Sequence, residues 1–179
     1  MRTNAGNVIL IGLMGAGKST IGRCLAERLN RTFYDSDTII CERTGVTIPT
    51  IFELEGEAGF RNRESSVIRE LCGLDNIVLA TGGGAVLRET NRKCLNRSGV
   101  IVYLHVRPEK LFERTRNDRN RPLLNVADPL ARFCDLYQIR DPIYRATADI
   151  VLDSSEAGTN STLAQVLDAL QRIGYPCTA

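Results

Sequence analysis

The stretch from Val8 to Thr20 reads VILIGLMGAGKST. Its first half is apolar apart from one glycine, and it passes without a linker into Gly15, Ala16, Gly17, Lys18 and Ser19. Either this is the hydrophobic centre of an export signal or it is a buried strand feeding a phosphate-binding loop. An export signal needs a positively charged start, a longer apolar run and a small-residue cleavage site. Here Arg2 is the only charge upstream, and a lysine stands where the apolar run should continue. The strand reading accounts for that lysine.

The segment Gly12 to Ser19 satisfies G-x-x-x-x-G-K-[ST] in full. Glycines let the loop wrap a phosphate closely enough for successive backbone N–H groups to point at it. Lys18 then supplies a point charge to the β- and γ-phosphates, and Ser19 offers a hydroxyl to Mg2+ at the start of a helix whose dipole favours anions. A glycine-rich turn without a ligand would leave the lysine unexplained. The nucleotide contacts expected from this loop are Gly15, Ala16, Gly17, Lys18, Ser19 and Thr20.

The rest of the composition suits an ordinary globular enzyme or binding domain. A chain of 179 residues forms one domain, here 1–179, able to bury about 70% of its unfolded surface. No other segment approaches the ~20 apolar residues of a membrane helix, so no membrane partner is expected and the protein is placed in the cytoplasm. The net charge is +2, and acids are interleaved with the arginines, which speaks against a nucleic-acid partner. Six cysteines form no C-x-x-C pair and read as reduced, mostly buried thiols. His105 is the only histidine, so there is no metal cluster to propose and a structural role is expected for it.

Short apolar runs recur at Val8 to Ile11, Thr32 to Tyr34, Ile77 to Ala80, Val100 to Leu104 and Ile150 to Leu152. Longer segments with helical spacing lie between and after them, such as Ile21, Leu25 and Leu29, or Leu163, Val166, Leu167, Leu170 and Ile173 ahead of Gly174 and Pro176. This alternation predicts an α/β fold with a parallel sheet covered on both faces, in which ligands bind beyond the carboxyl ends of the strands.

The residues just beyond each strand are therefore informative. After the second strand comes Tyr34-Asp35-Ser36-Asp37; residues two apart on an extended chain share a face, so both carboxylates could enter the crevice. One would suit the Mg2+ shell and the other could accept a proton from a hydroxyl nucleophile, although aspartates at strand ends are also common turn formers. After the third comes Thr81-Gly82-Gly83-Gly84, which allows backbone to approach a ligand closely. Arg61 opens one expected helix and Arg140 closes another, and an arginine fork grips a carboxylate bidentately. Between them Arg114, Arg116, Arg119 and Arg121 load a polar stretch, and the segment from Arg116 to Asp128 is expected to be a mobile lid, with Leu123 and Leu124 its apolar docking pair.

The blocks GLMGAGKST, FYDSD, FELEGEAGFRNRE, LATGGGAV, RNRPLLN and IRDPIYRATADIVL, in that order, resemble the shikimate kinase family over nearly the whole chain. The resemblance implies a three-layer P-loop kinase fold like that of nucleoside monophosphate kinases, with a five-stranded parallel sheet flanked by helices, a substrate-binding helical region at about 38–72 and the lid at 116–128. It implies transfer of the γ-phosphoryl of ATP to the 3-hydroxyl of shikimate with Mg2+. By position, Lys18, Asp37 and Arg121 resemble the catalytic set. Asp37, Arg61, Arg140 and Gly82, Gly83 and Gly84 resemble the shikimate-binding set. Ser19 and Asp35 resemble the metal ligands, and Arg114 and Arg121 complete the nucleotide contacts. The partners implied are shikimate and ATP, and a monomer is expected. One departure stands out: where many relatives carry arginine or proline in the adenine loop, this chain has Asp153, Ser154 and Ser155. A kinase of another small hydroxy acid such as gluconate, and a nucleotide-binding regulatory module without catalysis, are the alternatives.

Overall fold

The apolar runs become five strands, all parallel. The computed structural model describes residues 6–116, 124 and 126–176. In it the strands are β1 (Asn7–Ile11), β2 (Thr32–Asp35), β3 (Ile77–Ala80), β4 (Gly99–His105) and β5 (Ile150–Asp153), arranged β2-β3-β1-β4-β5. The run from Val8 to Ile11 is the central strand: Ile9 pairs with Leu79 of β3 on one side and Ile101 of β4 on the other. Every residue of β1 is buried. A strand covered on both faces has no solvent side to encode, which is why its run shows no polar alternation.

Among the described residues seven α-helices connect and cover the strands: α1 (Lys18–Arg28), α2 (Ser36–Thr44), α3 (Ile48–Leu71), α4 (Glu89–Ser98), α5 (Pro108–Thr115), α6 (Pro129–Thr147) and α7 (Thr159–Arg172). Helix α1 packs on β1, β2 and β3 and against α7, while α4 and α6 pack on β4. Ile21 and Leu25 of α1 and Val166 and Leu170 of α7 are buried, as their helical spacing requires. Helix α7 stops at Arg172, and Ile173 is exposed just before the left-handed Gly174. The architecture is a three-layer α/β fold: the parallel sheet covered on both faces that the alternation predicts, with the five strands that the family resemblance implies.

Helix α3 shapes the site because it is broken. Gly56 sits inside it at φ 69 and ψ −179, a conformation that a side chain would strain even though a Cβ there would meet no other atom. Contacts span the break: the rings of Phe52 and Phe60 lie 4.9 Å apart, and Glu55 accepts two hydrogen bonds from Arg63 at 2.6 and 2.9 Å. The second helical segment of α3 begins just after Gly56, so Arg61 lies in its opening turns, close to where a helix start is expected. The cysteines differ from expectation. Cys24, Cys41, Cys72, Cys94 and Cys134 are free thiols but half-buried, because they sit at the edges of helix packing and not at its centre, and Cys177 lies outside the described residues. Among the described residues no helix is long and apolar enough to cross a membrane.

Candidate active site

Because the sheet is parallel, the carboxyl ends of β1, β2 and β3 lie on one edge, and the segments that leave them line a single cavity of ≈ 500 Å³. Gly15, Gly17, Lys18, Ser19 and Thr20 reach it from the loop after β1. Asp35 and Asp37 reach it after β2, and Gly82, Gly83 and Gly84 after β3. Arg61 comes from α3, Arg114 from α5 and Arg140 from α6. Ala16 alone of the loop residues named from the sequence turns inward and joins the hydrophobic core. Arg121 lies outside the described residues, as does most of the segment 116–128. Of that segment Leu124 packs against the core and Arg116 caps the end of α5.

The phosphate loop leaves the start of α1 open. Its N-cap is Gly17, at φ 91, and among the described residues no side chain caps the first turn, so the amides there are not engaged by a capping group. Lys18 is buried and donates from Nζ to the carbonyls of Gly12 at 2.8 Å and Leu13 at 2.9 Å, which holds its charge inside the curve of the loop. Ser19 donates its hydroxyl to Oδ2 of Asp35 at 2.5 Å.

The two aspartates enter the cavity by a route that strand alternation does not describe. Strand β2 ends at Asp35, which is the N-cap of α2 and accepts through Oδ1 from the amides of Asp37 at 3.0 Å and Thr38 at 3.2 Å. Asp37 thus belongs to the first turn of a helix, and the capping interaction of Asp35 fixes where that turn begins. Burial, reinforced by the carboxylates of Glu64 and Asp35 and opposed by Lys18 and Arg61, lifts the Asp37 pKa from 3.8 to about 7. Its Oδ1 is out of contact with solvent and has no hydrogen-bond partner among the described residues.

Opposite polarity is supplied from α3 and α6. Arg61 donates from Nη1 to Glu64 at 2.8 Å and from Nη2 and Nε to Glu57 at 3.0 and 3.3 Å. Glu64 is fully buried; burial pushes its carboxyl up, and Arg61 opposes the rise. Its Oε1 has no partner among the described residues, and neither has Nη1 of the buried Arg140. Buried polar atoms are almost always paired, so three unpartnered ones around one cavity point to a ligand that supplies the missing groups. The glycines make the approach possible. A Cβ on Gly82 would stand 2.6 Å from Asp37 Oδ1 and 2.8 Å from Glu64 Oε1, and one on Gly84 would strike the Arg61 guanidinium.

Arg114 donates to the carbonyls of Ser154 at 3.0 Å and Ser155 at 3.3 Å, tying α5 to the segment after β5. The serines there hold the backbone: Ser155 Oγ accepts from the amide of Arg107 at 3.0 Å, and the Ser154 amide donates to the His105 carbonyl at 2.9 Å. His105 bridges Tyr137, at 2.9 Å, and Asp153, at 3.4 Å, in the structural role expected of a lone histidine. Sequence reading assigned nothing to Glu64, although its place three residues after Arg61 is a helical ion-pair spacing. Nor did it single out Phe52 and Phe60, whose helical spacing is broken by the kink.

A phosphate loop opening a helix, a carboxylate pair beside it and arginines across the same cavity define a P-loop kinase acting on a small-molecule alcohol. The family model for shikimate kinase matches residues 14–171, and the chain belongs to the shikimate kinase family. It is 55% identical over 168 residues to a shikimate kinase of Burkholderia lata, covering 94% of this chain and 91% of that protein. A shikimate kinase from Acinetobacter baumannii, solved in complex with shikimate, superposes with a TM-score of 0.92 at 45% identity, covering 96% of both chains. A gluconokinase from Sinorhizobium meliloti shares the fold alone, with a TM-score of 0.59 and 16% identity. The protein is an ATP-dependent kinase, which sets aside the inert-module alternative.

Proposed function

We propose that the cavity transfers the γ-phosphoryl of ATP to the 3-hydroxyl of shikimate, giving shikimate 3-phosphate and ADP on the route to the aromatic amino acids. The observation that carries the acceptor side is the trio of unpartnered buried atoms: one cationic donor, Arg140 Nη1, and two carboxylate acceptors, Asp37 Oδ1 and Glu64 Oε1. Their complement is a molecule with a carboxylate and hydroxyls, the chemistry of shikimate. Arg140 takes the carboxylate. Arg61 shares it through the N–H groups left over, since only three of its five are engaged by Glu57 and Glu64. Asp37 accepts a hydrogen bond from the nucleophilic hydroxyl, and its raised pKa suits a group that takes up the proton as the phosphoryl leaves ATP.

On the nucleotide side Lys18 neutralises charge on the β- and γ-phosphates, the open first turn of α1 receives phosphate oxygens, and Gly15, Ala16, Gly17 and Thr20 supply the loop around them. Arg114 borders the adenine, and Arg121 closes over the transferring phosphoryl group. Ser19 and Asp35 fit Mg2+: a hydroxyl and one carboxylate 2.5 Å apart leave positions for water and phosphate oxygens, as that ion prefers. When bound, the ion would neutralise charge developing on the phosphates. The region 38–72 serves as the acceptor-binding part of a single domain, and the enzyme works as a soluble cytoplasmic monomer. An ADP-release assay with shikimate, quinate and gluconate side by side tests the reading. Turnover with shikimate at least 10²-fold above the others is expected, a ratio of about 2.7 kcal/mol in transition-state binding. Equal turnover with gluconate would overturn it.

A further inference from the structure

Behind the cavity wall stands a residue that does not line the cavity yet joins three segments that do. Tyr144 is fully buried on α6, four positions after Arg140, and its hydroxyl donates to the carbonyl of Gly83. Gly83 is a junction: a Cβ there would lie 3.3 Å from the Met14 amide and 3.5 Å from the Gly12 carbonyl in the phosphate loop, and 3.6 Å from Arg140 Nη1. The Tyr144 ring packs on Tyr103 of β4, with centroids 4.8 Å apart. Tyr103 in turn lies against Gly12 and donates its hydroxyl to Asp141 at 2.9 Å, back on α6. The two tyrosines therefore brace α6, the glycine segment and the start of the phosphate loop against one another.

We infer that Tyr144 is a positioning residue for phosphoryl transfer: its hydroxyl, fixed on the Gly83 carbonyl, sets the place of Arg140 relative to the glycine segment and hence the seat of the acceptor. The inference rests on Arg140 holding the acceptor carboxylate. Burial pushes the phenol above its ordinary value, opposed by the Arg140 guanidinium beside it, so the hydroxyl stays a donor throughout the working pH range. Removing only that hydroxyl leaves the ring stack in place and frees Gly83 to shift by a fraction of an ångström, and misplacement on that scale is costly to an aligned reaction.

The test is Tyr144→Phe, with Arg140→Lys beside it, each assayed at saturating and subsaturating shikimate and ATP. Tyr144→Phe should raise the KM for shikimate about three- to tenfold and lower kcat by a similar factor, while the KM for ATP moves less than twofold. Thermal unfolding is followed in parallel. A drop in Tm with both KM values and kcat unchanged at 25 °C would mean the hydroxyl only stabilises the fold, and the inference would fall. Equal losses for shikimate and ATP would also overturn it. Should Arg140→Lys leave shikimate binding intact, the failure lies with the placement of the carboxylate; should Arg140→Lys weaken it and Tyr144→Phe not, it lies with Tyr144.

Discussion

Oδ2 of Asp35 accepts from the Ser19 hydroxyl at 2.5 Å, while its Oδ1 caps α2 by accepting from the amides of Asp37 and Thr38. One carboxylate, sixteen residues from its hydroxyl partner, thus joins the phosphate-loop helix to the helix that carries Asp37. The cap needs an oxygen; a metal shell needs a charge.

Asp35→Asn separates these roles, because asparagine caps a helix as well as aspartate does. The variant should unfold within about 1 kcal/mol of the wild type, yet need roughly tenfold more Mg2+ for half-maximal rate. A magnesium titration superimposable on the wild type would remove Asp35 from the metal shell.

The raised pKa of Asp37 makes two measurements move in opposite directions. The fold favours its neutral form, so its contribution to stability is complete below pH 3.8 and is lost as pH rises through about 7. Asp37→Asn should therefore be more stable than the wild type at pH 8, by on the order of 1–2 kcal/mol, with the difference closing toward pH 4. Activity should do the reverse: kcat/KM for shikimate rises with pH through about 7, and the variant is slow with that step absent. A wild-type profile flat from pH 6 to 8 would mean that Asp37 only orients the hydroxyl.

Arg61 and Glu64 form a buried pair, and removing one partner strands the other. Arg61→Ala should cost about 3 kcal/mol in stability, a loss that shrinks as pH falls and Glu64 takes up a proton. Adding Glu64→Gln should recover most of it, since no buried charge is then left alone. Chemical denaturation of the single and double variants checks this, and simple additivity of the two losses would contradict it.

Legibility in the sequence depends on the range of each interaction. Val8 to Ile11 and the loop to Ser19 declare themselves because strand burial, tight turning and phosphate binding all act on adjacent residues. The five parallel strands arise from the same local patterns. Alternation places Asp37 on a strand face, whereas the cap at Asp35 turns the chain into a helix at Ser36, two residues earlier than an extended reading allows. The kink at Gly56 is a backbone conformation, and nothing in FELEGEAGF distinguishes that glycine from the helical Gly59. Glu64 and Tyr144 escaped because their importance lies in contacts with Gly82 and Gly83, which only the folded chain brings near. Arg121, legible through its motif, falls outside the described residues, and its closure over the phosphoryl group stays a proposal.

The most direct measurement is a crystal structure of this protein with shikimate bound. The carboxylate should lie within hydrogen-bond distance of Arg140 Nη1 and of Arg61, and the 3-hydroxyl should meet Asp37 Oδ1 on the side facing Lys18. A shikimate molecule with its carboxylate at Lys18, or one seated away from Arg140 and Asp37, would contradict this assignment of the acceptor site.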